Sequence, residues 1–85
     1  MFSVGSTVSL SDGNKYIVTG NACVNNKVYY SLVSAADANT IKFCTEKQQN
    51  NKIYMKEFED LEVIKKLHPY FKKSMEDFLK NNPDL

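Results

Sequence analysis

The sequence predicts an α+β fold, mainly β: a five-stranded antiparallel meander over residues 2–58 curled into a small SH3-like barrel, then one C-terminal amphipathic helix over residues 60–80, kinked near Pro69. Three observations predict it. Apolar and polar side chains alternate with the period of a pleated strand through five short stretches. Clusters of small polar residues, Asn and Gly separate those stretches. After Asp60 the apolar spacing changes to three and four residues, the period of a helix. At 85 residues the chain is one domain, 1–85. A chain of that size hides only about 60–65% of the surface its unfolded form exposes, so its core is small.

Phe2, Val4, Val8 and Leu10 stand at even spacing, so a pleated first strand places them on one face and Ser3, Thr7, Ser9 and Ser11 on the other. Ser11-Asp12-Gly13-Asn14 is a tight turn, in which Gly13 or Asn14 takes positive φ and Asp12 bonds the backbone beyond it. Lys15-Tyr16-Ile17-Val18-Thr19 is β-branched and aromatic, which suits a pleated surface, and Gly20-Asn21 ends or bends this second strand. Asn25-Asn26 separates Ala22-Cys23-Val24 from residues 27–33, a second hairpin with Val28, Tyr30 and Leu32 on one face and Tyr29, Ser31 and Val33 on the other. Residues 34–40 have no sustained apolar period; they are the longest connection and the expected site of mobility. Ile41, Phe43 and Thr45 alternate with Lys42, Cys44 and Glu46, and Gln48-Gln49-Asn50-Asn51 turns the chain into residues 53–58, completing a third hairpin.

Asp60 is the expected helix N-cap, with Glu59 and Glu62 placing negative charge at the positive end of the dipole. Leu61, Ile64, Leu67, Phe71, Met75 and Phe78 form the face built for burial, opposite Lys65, Lys66, Lys72, Lys73, Glu76 and Asp77. Pro69 lacks a backbone donor and crowds the carbonyl of Lys65, so a kink is expected near His68. Asn81-Asn82-Pro83 is the expected stop.

The strand twist and the need to hide large apolar residues favour curling. The expected interior is Val4, Val8, Leu10, Tyr16, Val18, Val28, Tyr30, Leu32, Ile41, Phe43, Ile53 and Met55, leaving Ile17, Tyr29, Val33, Tyr54 and Phe58 outside for the helix to cover in part. Burying five or six helix side chains at about 1.5–3 kcal/mol each rivals the whole net stability of such a domain, so the helix docks.

The charge balance narrows the function classes. Eleven Lys and no Arg stand against ten Asp plus Glu, for a formal net charge of +1, and residues 51–85 carry seven of each sign. Without the guanidinium fork, bidentate recognition of phosphate or guanine is lost, which disfavours nucleic acid as partner without excluding it. No apolar run approaches the roughly 20 residues of a membrane span, and no apolar signal segment precedes Val4, so a cytoplasmic protein without membrane contact is expected. The Lys, Asn, Ile and Tyr content without Arg suits an AT-rich genome, a bacterium or one of its phages. The segment Val8-Ser9-Leu10-Ser11-Asp12-Gly13-Asn14-Lys15-Tyr16-Ile17-Val18 resembles the first hairpin of short bacterial and phage proteins built as a strand meander with a terminal helix. That resemblance covers one supersecondary unit and implies no chemistry.

No catalytic residue, metal site or cofactor is expected. His68, the sole histidine, sits beside Pro69 on the helix with no nucleophile or orienting carboxylate at a recognisable spacing. Asp12, Asp37, Glu57, Glu59 and Asp60 form no metal-ligand run, and Cys23 and Cys44 lack a CxxC spacing. Gly5, Gly13 and Gly20 are too scattered for a phosphate cradle. Lysines 15, 27 and 42 with Tyr29 and Tyr54 suggest the alternative, a nucleic-acid- or nucleotide-binding SH3-like barrel in which Tyr stacks and Lys attracts phosphate. The leading expectation is a small non-enzymatic protein-binding module, a bacterial or phage accessory protein that modulates or inhibits a host protein. Tyr29, Tyr54, Phe58 and Tyr70 are its interface candidates, because aromatics bury much area at small rotamer cost. A homodimer through a sheet edge or an uncovered apolar face is a variant of that expectation.

Overall fold

The computed structural model describes residues 1–82. Strands β1 (Thr7–Ser9), β2 (Lys15–Val24), β3 (Lys27–Ser34), β4 (Ile41–Gln49) and β5 (Lys52–Glu57) form one sheet in that order, every neighbouring pair antiparallel. The sheet curls into a half-barrel and helix α1 (Leu61–Asn81) packs on it, the α+β, mainly β architecture expected from the strand and helix periods. Two hairpins close through Asn-Asn pairs with positive φ at both residues: 53° and 64° at Asn25 and Asn26, 52° and 63° at Asn50 and Asn51. Those are type I′ values, which match the right-handed twist of the flanking strands.

A bulge lets β2 serve two layers. Val18 lies opposite Leu32 and Gly20 opposite Ser31, so Thr19 is an extra residue in the ladder. Tyr16 and Val18, before it, enter the concave core with Val8, Tyr30, Leu32 and Cys44. Ala22 and Val24, after it, join a second core under the helix with Leu67, Phe71, Tyr29, Phe43, Phe58 and Val63. Thr19 Oγ1 donates to the Ser31 carbonyl at 3.1 Å and lies 2.9 Å from Ser31 Oγ, so the hydroxyls are satisfied where the ladder is broken. Gly20-Asn21 therefore bends the strand and does not end it.

Three expectations about the interior are corrected. Ile41 and Phe43 do not face the concave core: Cys44 stands opposite Tyr30 and Phe43 opposite Ser31, which turns Cys44 inward and Phe43 toward the helix. The helix creates a second buried face, and there Phe43 stacks on Phe71 with ring centroids 6.1 Å apart, while Ile41 stays 60% exposed. Ile53 shares the inner side with Met55 but lies 61% exposed on the outermost strand. Val4 precedes β1 in a turn with Gly5 at φ +92°, so the first strand is confined to Thr7–Ser9.

Asp60 caps α1, its Oδ1 accepting from the Glu62 and Val63 amides at 3.0 and 3.4 Å. The helix runs as one element with Pro69 inside it, and Asn82 is its C-cap; Pro83, part of the expected stop, lies outside the described residues. Leu67 and Phe71 are buried and Ile64, Met75 and Phe78 partly so, whereas Leu61 is 68% exposed despite its place in the apolar period. Ser74 Oγ accepts from the Asn21 amide at 3.0 Å and ties the helix to the bent part of β2. Loop 34–40 is knitted by its own polar groups. Ser34 Oγ accepts from the Ala36 and Asp37 amides, and Asp37 accepts from the Asn39 amide and the Thr40 hydroxyl.

Candidate binding surface

β1 and β5 are the two edges of the sheet, and the concave core opens between them. The opening is a groove of about 700 Å³ lined by Phe2, Val8, Leu10, Ile53 and Met55, with Thr7, Ser9, Ser11, Tyr54, Lys56 and Glu57 at its walls. Its apolar floor is continuous with the core, because Leu10 and Met55 pack against the cluster of Val8, Tyr16, Val18, Tyr30 and Leu32.

The hydrogen-bond phase tells which backbone groups face the groove. The Ser6 carbonyl accepts from the Val18 amide and the Leu10 amide donates to the Asn14 carbonyl, so the Ser6 carbonyl, the Val8 peptide groups and the Leu10 amide turn toward β2. In an antiparallel strand the residues between them, Thr7 and Ser9, turn theirs the other way. On β5, Phe58 donates to Phe43 across the ladder that begins at Asn50-Asn51, so Lys52, Tyr54 and Lys56 bond β4. Ile53, Met55 and Glu57 present their amides and carbonyls to the groove.

Two polar clusters hold residues of this lining. At Phe2, the Tyr30 hydroxyl accepts the Phe2 amide at 2.8 Å and donates to Glu46, and Asn21 Nδ2 donates to the Phe2 carbonyl at 3.0 Å. Tyr30 is fully buried, and burial, with the bond to Glu46 second, raises its phenol above the ordinary value. At Glu57, Lys42 Nζ lies 2.8 Å from Glu57 Oε1 and 3.4 Å from Asp12 Oδ2, and 5.6 Å above the Tyr16 ring. Tyr16 donates to Asp12 at 2.6 Å. That bond, then the Asn14 amide, holds the Asp12 carboxyl down at about 2, while Glu57 is the main reason Lys42 is raised. A lysine held protonated and a carboxylate held ionised pin the first hairpin to β4 and β5; near neutral pH neither trades protons readily.

The residues singled out from the sequence fall into two groups. Tyr29 and Phe58 meet edge to face, centroids 5.8 Å apart, half-buried beside the helix core. Tyr54 on β5 and Tyr70 on α1 are 46% and 52% exposed. Tyr54 borders the groove; Tyr70 is not among the groove-lining residues. Lys42, named for phosphate attraction, is engaged by Glu57 and Asp12. Sequence reasoning missed the groove itself, because Val8, Leu10, Ile53 and Met55 read only as inward-facing barrel positions, with nothing to say at which edge the barrel stays open. The short β1 run between Gly5 and the Ser11–Asn14 turn was the signal that closure is incomplete. A second hollow, about 510 Å³, lies where Ile41, Phe43 and Phe58 meet Leu61 and Ile64.

Cys44 is buried and its thiol pushed up to about 11, chiefly by desolvation, whereas Cys23 is exposed. His68 is exposed on α1. Among the described residues no cluster of three or more His, Cys, Asp or Glu is placed to hold a metal ion, and no helix is long and apolar enough to cross a membrane. No protein-family model, curated protein or solved structure matches the chain.

Proposed function

We propose that the chain is a small non-enzymatic protein-binding module, an SH3-like half-barrel that acts in the cytoplasm of a bacterium or phage-infected cell by binding and modulating a host protein. The observation that supports it is the groove between β1 and β5, where apolar core residues and the backbone of two sheet edges are presented together. Exposed apolar area rimmed by polar groups is the usual signature of a recognition surface. Ile53 and Tyr54 are its accessible anchors at 61% and 46% exposure; Tyr70 is an exposed aromatic on α1, and Tyr29 and Phe58 are half-buried against the helix core. Pro69, inside α1, kinks the helix that carries Tyr70.

The test is capture from a native lysate, followed by binding measurements with the captured protein in purified form. Loss of that binding in Ile53→Asp, a change at an exposed site that leaves the fold intact, supports the reading. A purified partner that binds wild type and Ile53→Asp equally overturns the groove as the site.

One observation favours a nucleic-acid reading as second. Lys47, Lys52 and Lys56 share a face of the β4–β5 hairpin with Tyr54. A salt titration with single-stranded oligonucleotide separates the two, since phosphate-driven binding weakens steeply with salt and an apolar protein interface does not.

A further inference from the structure

We propose that the partner enters the groove as an extended segment that runs antiparallel to both β1 and β5, completing the barrel as a sixth strand, with apolar side chains at alternate positions and acidic ones between them. This rests on the protein-binding reading and specifies its occupant.

Three features of the groove favour such a guest, and the first is strand direction. In an antiparallel meander of five strands, β1 and β5 run the same way, so the two edges cannot close on each other with the antiparallel ladder used everywhere else in the sheet. One strand of opposite direction placed between them is antiparallel to both. Pairing along an exposed edge supplies main-chain hydrogen bonds without regard to the guest's sequence.

The second is phase. Thr7 and Ser9 offer their peptide groups to the gap and carry their side chains on the helix side, since Thr7 stands opposite Ile17 while the inward Val8 stands opposite Tyr16. Ile53 and Met55 offer theirs with side chains on the concave side, Met55 lying against the core. A guest residue that bonds β1 therefore directs its side chain to the helix side. The next residue, bonding β5, directs its side chain into the cavity of Val8, Leu10 and Met55. One strand meets both edges in register, with the two-residue alternation of any β-strand.

The third is charge. Thr45, Lys47, Gln49, Lys52, Tyr54 and Lys56 occupy the helix-side face of the β4–β5 hairpin, three cations and no carboxylate. The concave side takes the apolar positions of the guest, and the helix side favours Glu or Asp at the positions between.

The probe is the synthetic heptapeptide Glu-Val-Glu-Ile-Glu-Val-Glu, titrated into isotope-labelled full-length protein and followed by amide resonances. Expected are shifts at Thr7, Ser9, Ile53, Met55 and Glu57, with interstrand contacts of antiparallel sense to both edges. The same peptide methylated at the amides that face β5 keeps its side chains and loses those donors; it should bind at least about tenfold more weakly. A Lys-for-Glu version should also bind more weakly, the difference shrinking as salt rises. Ser9→Pro, which removes a groove-facing donor while leaving the bonds to β2, should weaken the parent peptide, with the circular dichroism spectrum checking that it folds. Equal binding of the parent and methylated peptides overturns strand addition. No peptide binding by a protein that still captures its purified partner in an Ile53-dependent way also overturns it, and the protein-binding reading survives. A dimer by light scattering that dissociates in Ile53→Asp, or an oligonucleotide that shifts the same amides, overturns it in favour of a second copy or of nucleic acid.

Discussion

Gly20 of β2 and Phe71 of α1 approach so closely that a methyl group at Gly20 would lie 2.8 Å from Phe71 Cβ and 3.0 Å from its Cα, with Ser31 Oγ at 2.6 Å. Helix backbone and strand backbone meet where no side chain separates them, and the approach is set by the absence of a Cβ. The bulge at Thr19 brings Gly20 round to the helix side, so bulge and close contact are one device for docking α1.

Gly20→Ala should destabilise the fold by about 3 kcal/mol, the upper end of the usual cost of overpacking, because the helix backbone it meets cannot yield. Gly13→Ala is the control: its φ is +82° but nothing stands within 4 Å of an added Cβ. It should lose only about 1 kcal/mol of left-handed strain. Urea denaturation of the two variants checks the difference.

Deleting Thr19 removes the extra residue of the ladder. Either Tyr16 and Val18 must leave the concave core or Ala22 and Val24 must leave the helix core, because a one-residue slip exchanges the faces of every side chain beyond it. The deletion should abolish cooperative unfolding, while Thr19→Val keeps the count and should lose only about 1 kcal/mol for its hydrogen bonds. Thermal melts followed by circular dichroism distinguish them.

The acid limb of stability should depend on Asp12. Its carboxyl lies at about 2 in the fold against an ordinary 3.8, so the folded state favours the ionised form. That contribution is present above the ordinary value and is lost as the pH falls toward the folded one. Asp37, lowered by the Asn39 amide and then the Thr40 hydroxyl, acts with the same sign. Asp12→Asn should flatten the rise of the urea midpoint with pH in this window. On the alkaline side the Cys44 thiol, raised from 9.0 to about 11, favours its neutral form in the fold. Its contribution is intact below pH 9.0 and disappears as the pH rises through the folded value.

The two thiols should react in sequence. Cys23 is exposed and Cys44 has no accessible surface, so an aromatic disulfide reagent should modify Cys23 in the native protein and Cys44 only at the rate of unfolding. Simultaneous modification in buffer would mean that the concave core opens far more readily than its packing implies.

Local rules made much of the fold legible. The β-branched run at Tyr16-Ile17-Val18, the Asn25-Asn26 turn and the Asp60 cap each depend on neighbours a few residues away, and each stands where alternation and capping chemistry place it, whereas the expected turn Gln48–Asn51 narrows to Asn50-Asn51 because Gln48 and Gln49 continue β4. The phase of β4 was not legible. Phe43 and Cys44 are both acceptable interior residues, and the choice between them depends on Tyr30 across the ladder and on Phe71 in a helix many residues later. The groove was hidden for the same reason: Ile53 and Met55 alternate like any inward-facing barrel residues, and only the brevity of β1 shows that no strand covers them among the described residues.

By itself the sequence determined the number of strands, the approximate places of the turns, the capped helix and the near-neutral charge, because these depend on backbone preference and side-chain type at short range. The tertiary structure alone decided which face each strand buries, how near the helix comes, and that the two outer strands stand apart with a groove between them. Those outcomes depend on contacts between residues distant along the chain, and a single extra residue, Thr19, is enough to exchange the faces on which they are made.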